Sequence, residues 1–198
     1  MNLQDLLKGK RLVLASNSPR RKVLMEGLDV NFETWKPKHS KESFPDSMEV
    51  AKVPEYLARQ KAVPFRNDLD GDTIVLTSDT IVVLNNTIIG KPVSEANAKQ
   101  ILKQLSGNKH TVITGVALSS LNSEVSFSVK TDVYFRTLTE DEINYYVDKY
   151  KPFDKAGAYG VQEWIGYVGV EKIDGSFYNV MGLPVQQVYQ ELVKFLTN

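Results

Sequence analysis

The sequence predicts a mixed fold, with α/β or α+β layering around a mixed sheet. Apolar and β-branched runs typical of strands occur along the whole chain with segments of helical spacing, and the two kinds do not alternate strictly. Three pairs of strand-like runs are joined by short turn sequences, which favours antiparallel hairpins, whereas the first strand leads directly into a helix. We therefore expect parallel and antiparallel strand pairs in the same protein.

The length and charge of the chain limit its domain organisation and its partners. Its 198 residues suffice for one domain or for two small lobes, and because no linker marks a boundary we treat residues 1–198 as a single domain. Lys and Arg together number 24, as do Asp and Glu, so the formal net charge is zero. No bulk field therefore attracts nucleic acid or an anionic membrane, and any anion site must be local.

Cysteine is absent, which excludes disulfides, thiolate catalysis and cysteine-based metal sites. No apolar run reaches the length that spans a membrane, and the N-terminal stretch lacks the continuous apolar core of a signal peptide. We therefore expect a cytoplasmic protein that binds neither nucleic acid nor a membrane.

The first strand, loop and helix are predicted over residues 12–28. A short apolar run is followed by turn residues, and Ser18 then suits the N-cap while Pro19 suits the first helical position. The free amides of that first turn, the helix dipole and the guanidinium groups of Arg20 and Arg21 form a pattern that attracts phosphate. The alternative is that both arginines are ordinary solvated charges near a capped helix.

The remaining elements follow from local patterns. In chain order, we expect a strand over 29–35, a helix from Pro54 to Pro64, a hairpin over 71–92 with an Asn85-Asn86 turn, a Ser94-capped helix to Leu105, paired strands over 110–120 and 124–138, a helix from the Thr139–Glu142 capping box to Lys149, a polar, glycine-rich loop over 151–166, a hairpin over 168–180 with an Asp174-Gly175 turn, and a helix from Pro184.

Asp79 is the strongest candidate for chemistry. It lies in Ser-Asp-Thr within an otherwise apolar strand, where a carboxylate is costly unless it is paired, hydrogen-bonded or bound to a metal. It is therefore a candidate metal ligand or general base, and the alternative is an aspartate that binds local backbone amides. Lys91 and Lys155 are candidates for contact with phosphate, with solvated lysine as the alternative.

Several common motifs are missing. The sequence has no Walker loop, no dinucleotide-binding glycine motif after a strand and no serine-hydrolase elbow. His39 and His110 have no metal-ligand spacing and are expected to be structural. The aromatic residues Tyr159, Trp164 and Tyr167 either stack on a base or pack in the core.

Seven motifs in order resemble the Maf family of nucleoside triphosphate pyrophosphatases over roughly residues 10–194. They are LASNSPRR, ARQKA, SDTIVV, IIGKP, LSGNKHTVITGV, FDKAGAYGVQ and GSFYNVMGLP. The resemblance implies a fold similar to that of inosine-triphosphatase-like enzymes, with two lobes around a cleft, and it allows a homodimer. It also implies a reaction dependent on Mg²⁺ or Mn²⁺, in which metal-bound water attacks the α-phosphate of a nucleoside triphosphate and releases pyrophosphate.

The resemblance also implies roles for individual residues. Asp79 matches the proton acceptor, and Asp79 with Glu42 matches the metal site. The phosphate-binding positions are Ser16, Arg20, Arg21, Lys61, Lys91 and Lys155. The positions that track substrate choice are Arg20, Thr80 and Gln162, and they match the branch that acts on dTTP and UTP. Around Glu42 the family usually has an Asp-rich stretch, whereas this chain has Lys38-His39-Ser40-Lys41 before the glutamate.

Two other functions fit the same residues. One is a pyrophosphatase that prefers other or modified nucleotides, and the other is a nucleotide-binding regulator of cell division with little turnover. Because a pure sensor needs no base, Asp79 favours an enzyme.

Overall fold

The structure, a computed structural model, describes residues 2–39 and 43–197. These residues contain eight α-helices and seven strands. The helices are α1 (Leu3–Leu6), α2 (Pro19–Glu26), α3 (Val53–Ala62), α4 (Glu95–Leu105), α5 (Glu140–Tyr150), α6 (Trp164–Gly169), α7 (Phe177–Met181) and α8 (Val185–Thr197). The strands are β1 (Arg11–Ala15), β2 (Glu33–Trp35), β3 (Thr73–Leu84), β4 (Thr87–Ile89), β5 (Lys109–Ser119), β6 (Glu124–Phe135) and β7 (Val170–Asp174). Short 3₁₀ segments cover Val50–Lys52, Val63–Asp68 and Ala156–Ala158.

The strands form one mixed sheet in the order β2-β1-β3-β5-β6-β7, and β4 pairs with β3. Strand β1 runs parallel to both β2 and β3, whereas the pairs β3–β4 and β6–β7 are antiparallel. The prediction of a mixed α/β fold is therefore confirmed. None of the described helices has the length and apolar character that crossing a bilayer requires.

Two compact units divide the described chain. The first contains the residues up to Asp79, Thr114–Val129 and those from Gly182 onward, and the second contains Thr80–Ile113 and Lys130–Met181. In the first unit, alternate residues of β1 and β3 bury one face of the sheet, since Val13, Ala15 and Val75 cluster with Phe65. In the second unit, the buried core is formed by the apolar stripes of α4 and α5 and by inward-facing strand residues.

Local capping and turn signals are confirmed. Ser94 accepts a hydrogen bond from the amide of Asn97 at 3.1 Å, and Thr139 and Glu142 form the predicted capping box. Asn85 and Asn86 have φ values of +48° and +61°, as a tight hairpin turn requires. The helix that was expected to end at Pro64 instead continues as a 3₁₀ segment, because proline is tolerated at the first positions of a helical turn.

The predicted hairpin over 168–180 is wrong. Only its first half is a strand, and this strand, β7, pairs with β6, while the second half forms α7. Ser176 accepts from the amide of Asn179 at 3.2 Å, and the Asn179 side chain donates to Val112 O at 3.2 Å and Thr131 Oγ1 at 3.0 Å. Val112 and Thr131 are far from Asn179 in sequence, and their contacts with it favour a helix at a segment whose β-propensity favours a strand.

Candidate active site

The loop between β1 and α2 folds around its own serines. Ser16 Oγ accepts from the amide of Ser18 at 3.1 Å, and Ser18 Oγ accepts from the amide of Arg21 at 3.4 Å. Pro19 occupies the first turn of α2, as predicted. Arg20 and Arg21 are both half-buried at this turn.

Arg21 joins this turn to the strand that carries Asp79. Its Nη1 donates to the carbonyl of Ser78 at 2.9 Å, and its Nε donates to the carbonyl of Gly182 at 2.9 Å. The first contact brings the start of α2 beside the residue that precedes Asp79. The cationic turn and the strand-borne acid therefore lie close together within the first unit.

Asp79 forms an ion pair with Lys61 of α3. The distance from Asp79 Oδ1 to Lys61 Nζ is 2.6 Å, and the two side chains are 15% and 23% exposed. Two residues earlier on the same face of β3, Thr77 Oγ1 donates to the carbonyl of Ala58 at 2.7 Å. Strand alternation therefore turns Asp79 toward α3, where an ammonium group contacts a carboxylate that water can still reach.

The second unit contains Thr80, Lys91, Lys155 and Gln162. Thr80 directly follows Asp79 in β3 and is half-buried, and Lys91 is exposed beside Gly90. The amide of Gly157 donates to the carbonyl of Gly90 at 3.2 Å, which joins the turn at Lys91 to the loop that holds Lys155 and Gln162. A Cβ at Gly157 would lie 3.0 Å from Val82 Cγ2, and its φ of +72° also favours glycine.

Lys155 and Gln162 differ in their contacts. Lys155 is only 8% exposed, and its Nζ lies 2.8 Å from Asp154 Oδ1 and 3.2 Å from Glu163 Oε1. Gln162 Oε1 is buried, yet it accepts no hydrogen bond from any group in residues 2–39 or 43–197. A buried amide oxygen without a donor is costly, so this atom is suited to receive one from a ligand.

Of the two predicted metal ligands, Asp79 belongs to the described residues. Glu42 lies outside the described residues, and within the described ranges no group of three or more Asp, Glu and His side chains could hold a metal ion. Asp79 is a single carboxylate beside the turn that carries Arg20 and Arg21. This donor set fits Mg²⁺, which often binds through one or two carboxylates and takes its other ligands from substrate phosphates and water.

His110, Tyr159 and Trp164 lie in packed environments, whereas His39 and Tyr167 are exposed. His110 is buried, its Nε2 lies 2.7 Å from Tyr159 Oη, and burial lowers the pKa of His110 to about 4. Tyr159 lies in the same core, and Trp164 packs edge-on against Tyr145 with ring centroids 4.8 Å apart. Tyr167 is 83% exposed.

Sequence reasoning missed Glu163 and Tyr146, which contact the loop of Gln162. Glu163 directly follows Gln162 in the sequence, and this adjacency could have indicated a role at the same site. Tyr146 appeared only as part of a helix.

Known proteins of the same kind match nearly the whole chain. The family described as Maf-like protein matches residues 11–195. A "dTTP/UTP pyrophosphatase" from Parabacteroides distasonis is 51% identical over 189 residues, which cover 96% of this chain and 98% of that protein. Proteins with the same name from Bacteroides thetaiotaomicron and Porphyromonas gingivalis are 50% and 46% identical, covering 93% and 96% of this chain and 95% and 97% of their own lengths.

A solved structure is also similar. It is a nucleoside-triphosphatase, described as a dITP/XTP pyrophosphatase, from Mycobacterium abscessus, with 15% identity, coverage of 94% of this chain and 98% of that one, and a TM-score of 0.44. The family match over residues 11–195 and the high identities to these relatives show that the chain belongs to the Maf family.

Proposed function

We propose that this chain hydrolyses dTTP and UTP to the nucleoside monophosphate and pyrophosphate. The contact between Arg21 and the carbonyl of Ser78 carries the proposal, because it brings the phosphate-binding turn next to Asp79. Relatives about half identical to this chain and named for this activity support the choice of substrate.

The first unit acts on the triphosphate. The hydroxyl of Ser16, the guanidinium groups of Arg20 and Arg21 and the free amides of α2 bind its outer phosphates. These groups also stabilise pyrophosphate as it leaves. Lys91, which is exposed, is a further phosphate-binding candidate.

Asp79 accepts the proton of the attacking water. The water oxygen forms a bond to the α-phosphorus, the bond from that phosphorus to the bridging oxygen breaks, and pyrophosphate leaves with the electron pair. Lys61 holds the carboxylate in place through their 2.6 Å contact. Asp79, with Glu42 as the second predicted ligand, would hold a Mg²⁺ or Mn²⁺ ion, which would supply neutralisation of phosphate charge and a lower pKa of bound water.

Gln162 and Thr80 recognise the base. The buried Oε1 of Gln162 needs a donor, and N3–H of uracil or thymine is one, whereas N3 of cytosine carries no hydrogen. A nucleotide that leaves such a buried polar group without a partner is rejected more strongly than one that lacks a single methylene contact. This chemistry therefore favours UTP and dTTP over CTP.

Pyrophosphate release from a panel of nucleoside triphosphates, with and without Mg²⁺, tests the proposal. We expect the highest kcat/KM for dTTP and UTP and little release after chelation of the metal. A different preferred base would identify a pyrophosphatase for other or modified nucleotides. Tight triphosphate binding without release would instead identify a nucleotide-binding regulator.

A further inference from the structure

Lys155 is a buried lysine whose ammonium group contacts one exposed and one largely buried carboxylate. Its side chain is 9% exposed, and its Nζ contacts the carboxylates of Asp154 and Glu163 at 2.8 and 3.2 Å. The side chain of Glu163 is itself only 20% exposed. Because the Lys155 ammonium group already contacts two carboxylates, binding a phosphate would require it to give up at least one of these contacts.

Tyr146 extends the network to the backbone of the loop. Its hydroxyl donates to Glu163 Oε2 and accepts from the amide of Gly160 at 3.0 Å. Tyr146 is completely buried, and burial together with the Glu163 carboxylate raises its pKa. The hydroxyl therefore remains protonated and donates to Glu163 across the physiological pH range.

The backbone between Lys155 and Glu163 is held in a conformation that suits this network. Gly160 lies so close to Glu163 that a Cβ there would be 2.8 Å from the carboxyl carbon. Ala158 has a φ of +56°, which side-chain-bearing residues rarely adopt. Such a conformation persists only where surrounding contacts enforce it, and the contacts of Lys155, Tyr146 and Glu163 are of this kind.

We propose that Glu163 and Tyr146 are positioning residues for Gln162, and that Lys155 acts through Glu163 rather than on phosphate. The network fixes the loop so that the unpaired amide oxygen of Gln162, one residue before Glu163, meets the base. This inference rests on the proposed hydrolysis of dTTP and UTP. It makes the carboxylate of Glu163 a determinant of base selectivity without contact to the nucleotide.

The test compares base selectivity with affinity for phosphate in the full chain. The variants are Glu163→Gln, Lys155→Met, their double mutant, and Lys91→Met as the matched lysine outside the network. For each variant, the ratio of kcat/KM for UTP to that for CTP reports on base recognition. The inhibition constant of inorganic pyrophosphate reports on the phosphate contacts alone.

We expect Glu163→Gln and Lys155→Met each to lower the UTP-to-CTP ratio about tenfold, because the amide loses its alignment. The double mutant should be no worse than either single variant, since the two residues act as one unit. The inhibition constant should stay within about twofold for the network variants and rise clearly for Lys91→Met. The proposal is overturned if Lys155→Met weakens pyrophosphate inhibition as Lys91→Met does while the ratio is unchanged.

A replacement variant and a fluorescence measurement keep the proposal testable if a variant does not fold or if the wild type shows no base preference. If Lys155→Met fails to fold, Tyr146→Phe replaces it, because it removes one hydroxyl from the same network and should lower the ratio in the same way. Fluorescence of Trp164, measured in a Trp35→Phe background, reports the position of the loop without any turnover. A shift of its emission in Glu163→Gln supports the positioning role even if the wild type shows no preference for UTP, and an unshifted emission argues against it.

Discussion

Asp79 shows how one residue acquires its environment from its place in a strand. Its neighbours in sequence are apolar or small, yet strand alternation turns its carboxylate toward α3 and Lys61. The pair is partly exposed rather than sealed in the core, with Asp79 at 15% and Lys61 at 23%. A carboxylate in this position is held in place and remains open to water.

The first prediction concerns this carboxylate. Asp79→Asn preserves the shape of the side chain but cannot take a proton, so we expect kcat with UTP to fall about 100-fold or more. The measurement is pyrophosphate release, together with a thermal melt to verify that the variant is folded. A folded variant with near-normal turnover would exclude Asp79 as the base.

The second prediction concerns Gln162. Glu at this position keeps an acceptor for N3–H but replaces the amide nitrogen, which can donate to a base carbonyl, with a second acceptor, so the preference for dTTP and UTP should be eroded. Inhibition by pyrophosphate should be unchanged, because the proposed phosphate contacts belong to other residues. An unchanged substrate profile would contradict the role of Gln162 in base recognition.

The third prediction concerns the buried imidazole of His110. Because burial lowers its pKa from 6.5 to about 4, the unfolded chain binds a proton at a higher pH than the folded chain does. Its contribution to stability is fully present above about pH 6.5 and decreases by about 3 kcal/mol as the pH falls to 4. Urea unfolding at several pH values measures this slope.

The two histidines of the chain provide a matched control for that experiment. His110→Gln should flatten the pH dependence of the free energy of unfolding between pH 6.5 and 4, whatever its stability at neutral pH. His39 is exposed, so His39→Gln should keep the wild-type slope. Equal slopes in all three proteins would show that His110 is not the group that titrates.

Among the elements, the approach of β5 to the start of α3 depends on one glycine. A Cβ at Gly115 would lie 2.2 Å from the amide nitrogen of Glu55 and from the carbonyl carbon of Pro54. Both atoms belong to the backbone, so a rotamer change cannot relieve the overlap. Glycine at this strand position therefore sets the distance between two elements of the first unit.

The fourth prediction follows from this contact. Gly115→Ala should lower the free energy of unfolding by about 3 kcal/mol, at the upper end of the usual cost of overpacking, because strand or helix must move. Gly71→Ala is the control, since a Cβ there meets no atom within 4 Å. We expect the control to stay within about 0.5 kcal/mol of the wild type in urea unfolding. Equal stabilities of the two variants would mean that β5 and α3 separate easily.

At the scale of the whole molecule, charge is balanced. The 24 basic and 24 acidic side chains leave a net charge of zero, so attraction for polyanions depends on local groups such as the turn at Arg20 and Arg21. The proposed site would take one triphosphate, whereas binding of nucleic acid requires an extended row of phosphate contacts.

The fifth prediction tests this consequence. Fluorescence anisotropy of labelled double-stranded DNA at 0.15 M salt should give a dissociation constant weaker than roughly 100 µM, the weak limit of non-specific binding. A basic DNA-binding protein measured with the same probe serves as the positive control. Salt-dependent binding at low micromolar concentration would reveal a basic surface that the balanced net charge conceals.

The sequence by itself determined the features whose partners lie within a few residues. The N-caps at Ser18 and Ser94, the Asn85-Asn86 turn and the Thr139–Glu142 capping box all form as predicted. The family resemblance also located the acid and the cationic turn, although not their distance from each other. Such signals are readable because the hydrogen bonds concerned span at most a turn of the chain.

Only the tertiary structure decided the features whose partners are far apart in sequence. Arg21 binds the carbonyl of Ser78 across 57 residues, and Asn179 binds Thr131 across 48 residues and thereby favours α7 over a strand. Lys155 contacts two carboxylates, those of Asp154 and Glu163, and no local sequence pattern predicted the contact with Glu163. Long-range contacts outweigh local propensity in these places, because burial makes each unpaired polar group more costly than an unfavourable backbone preference.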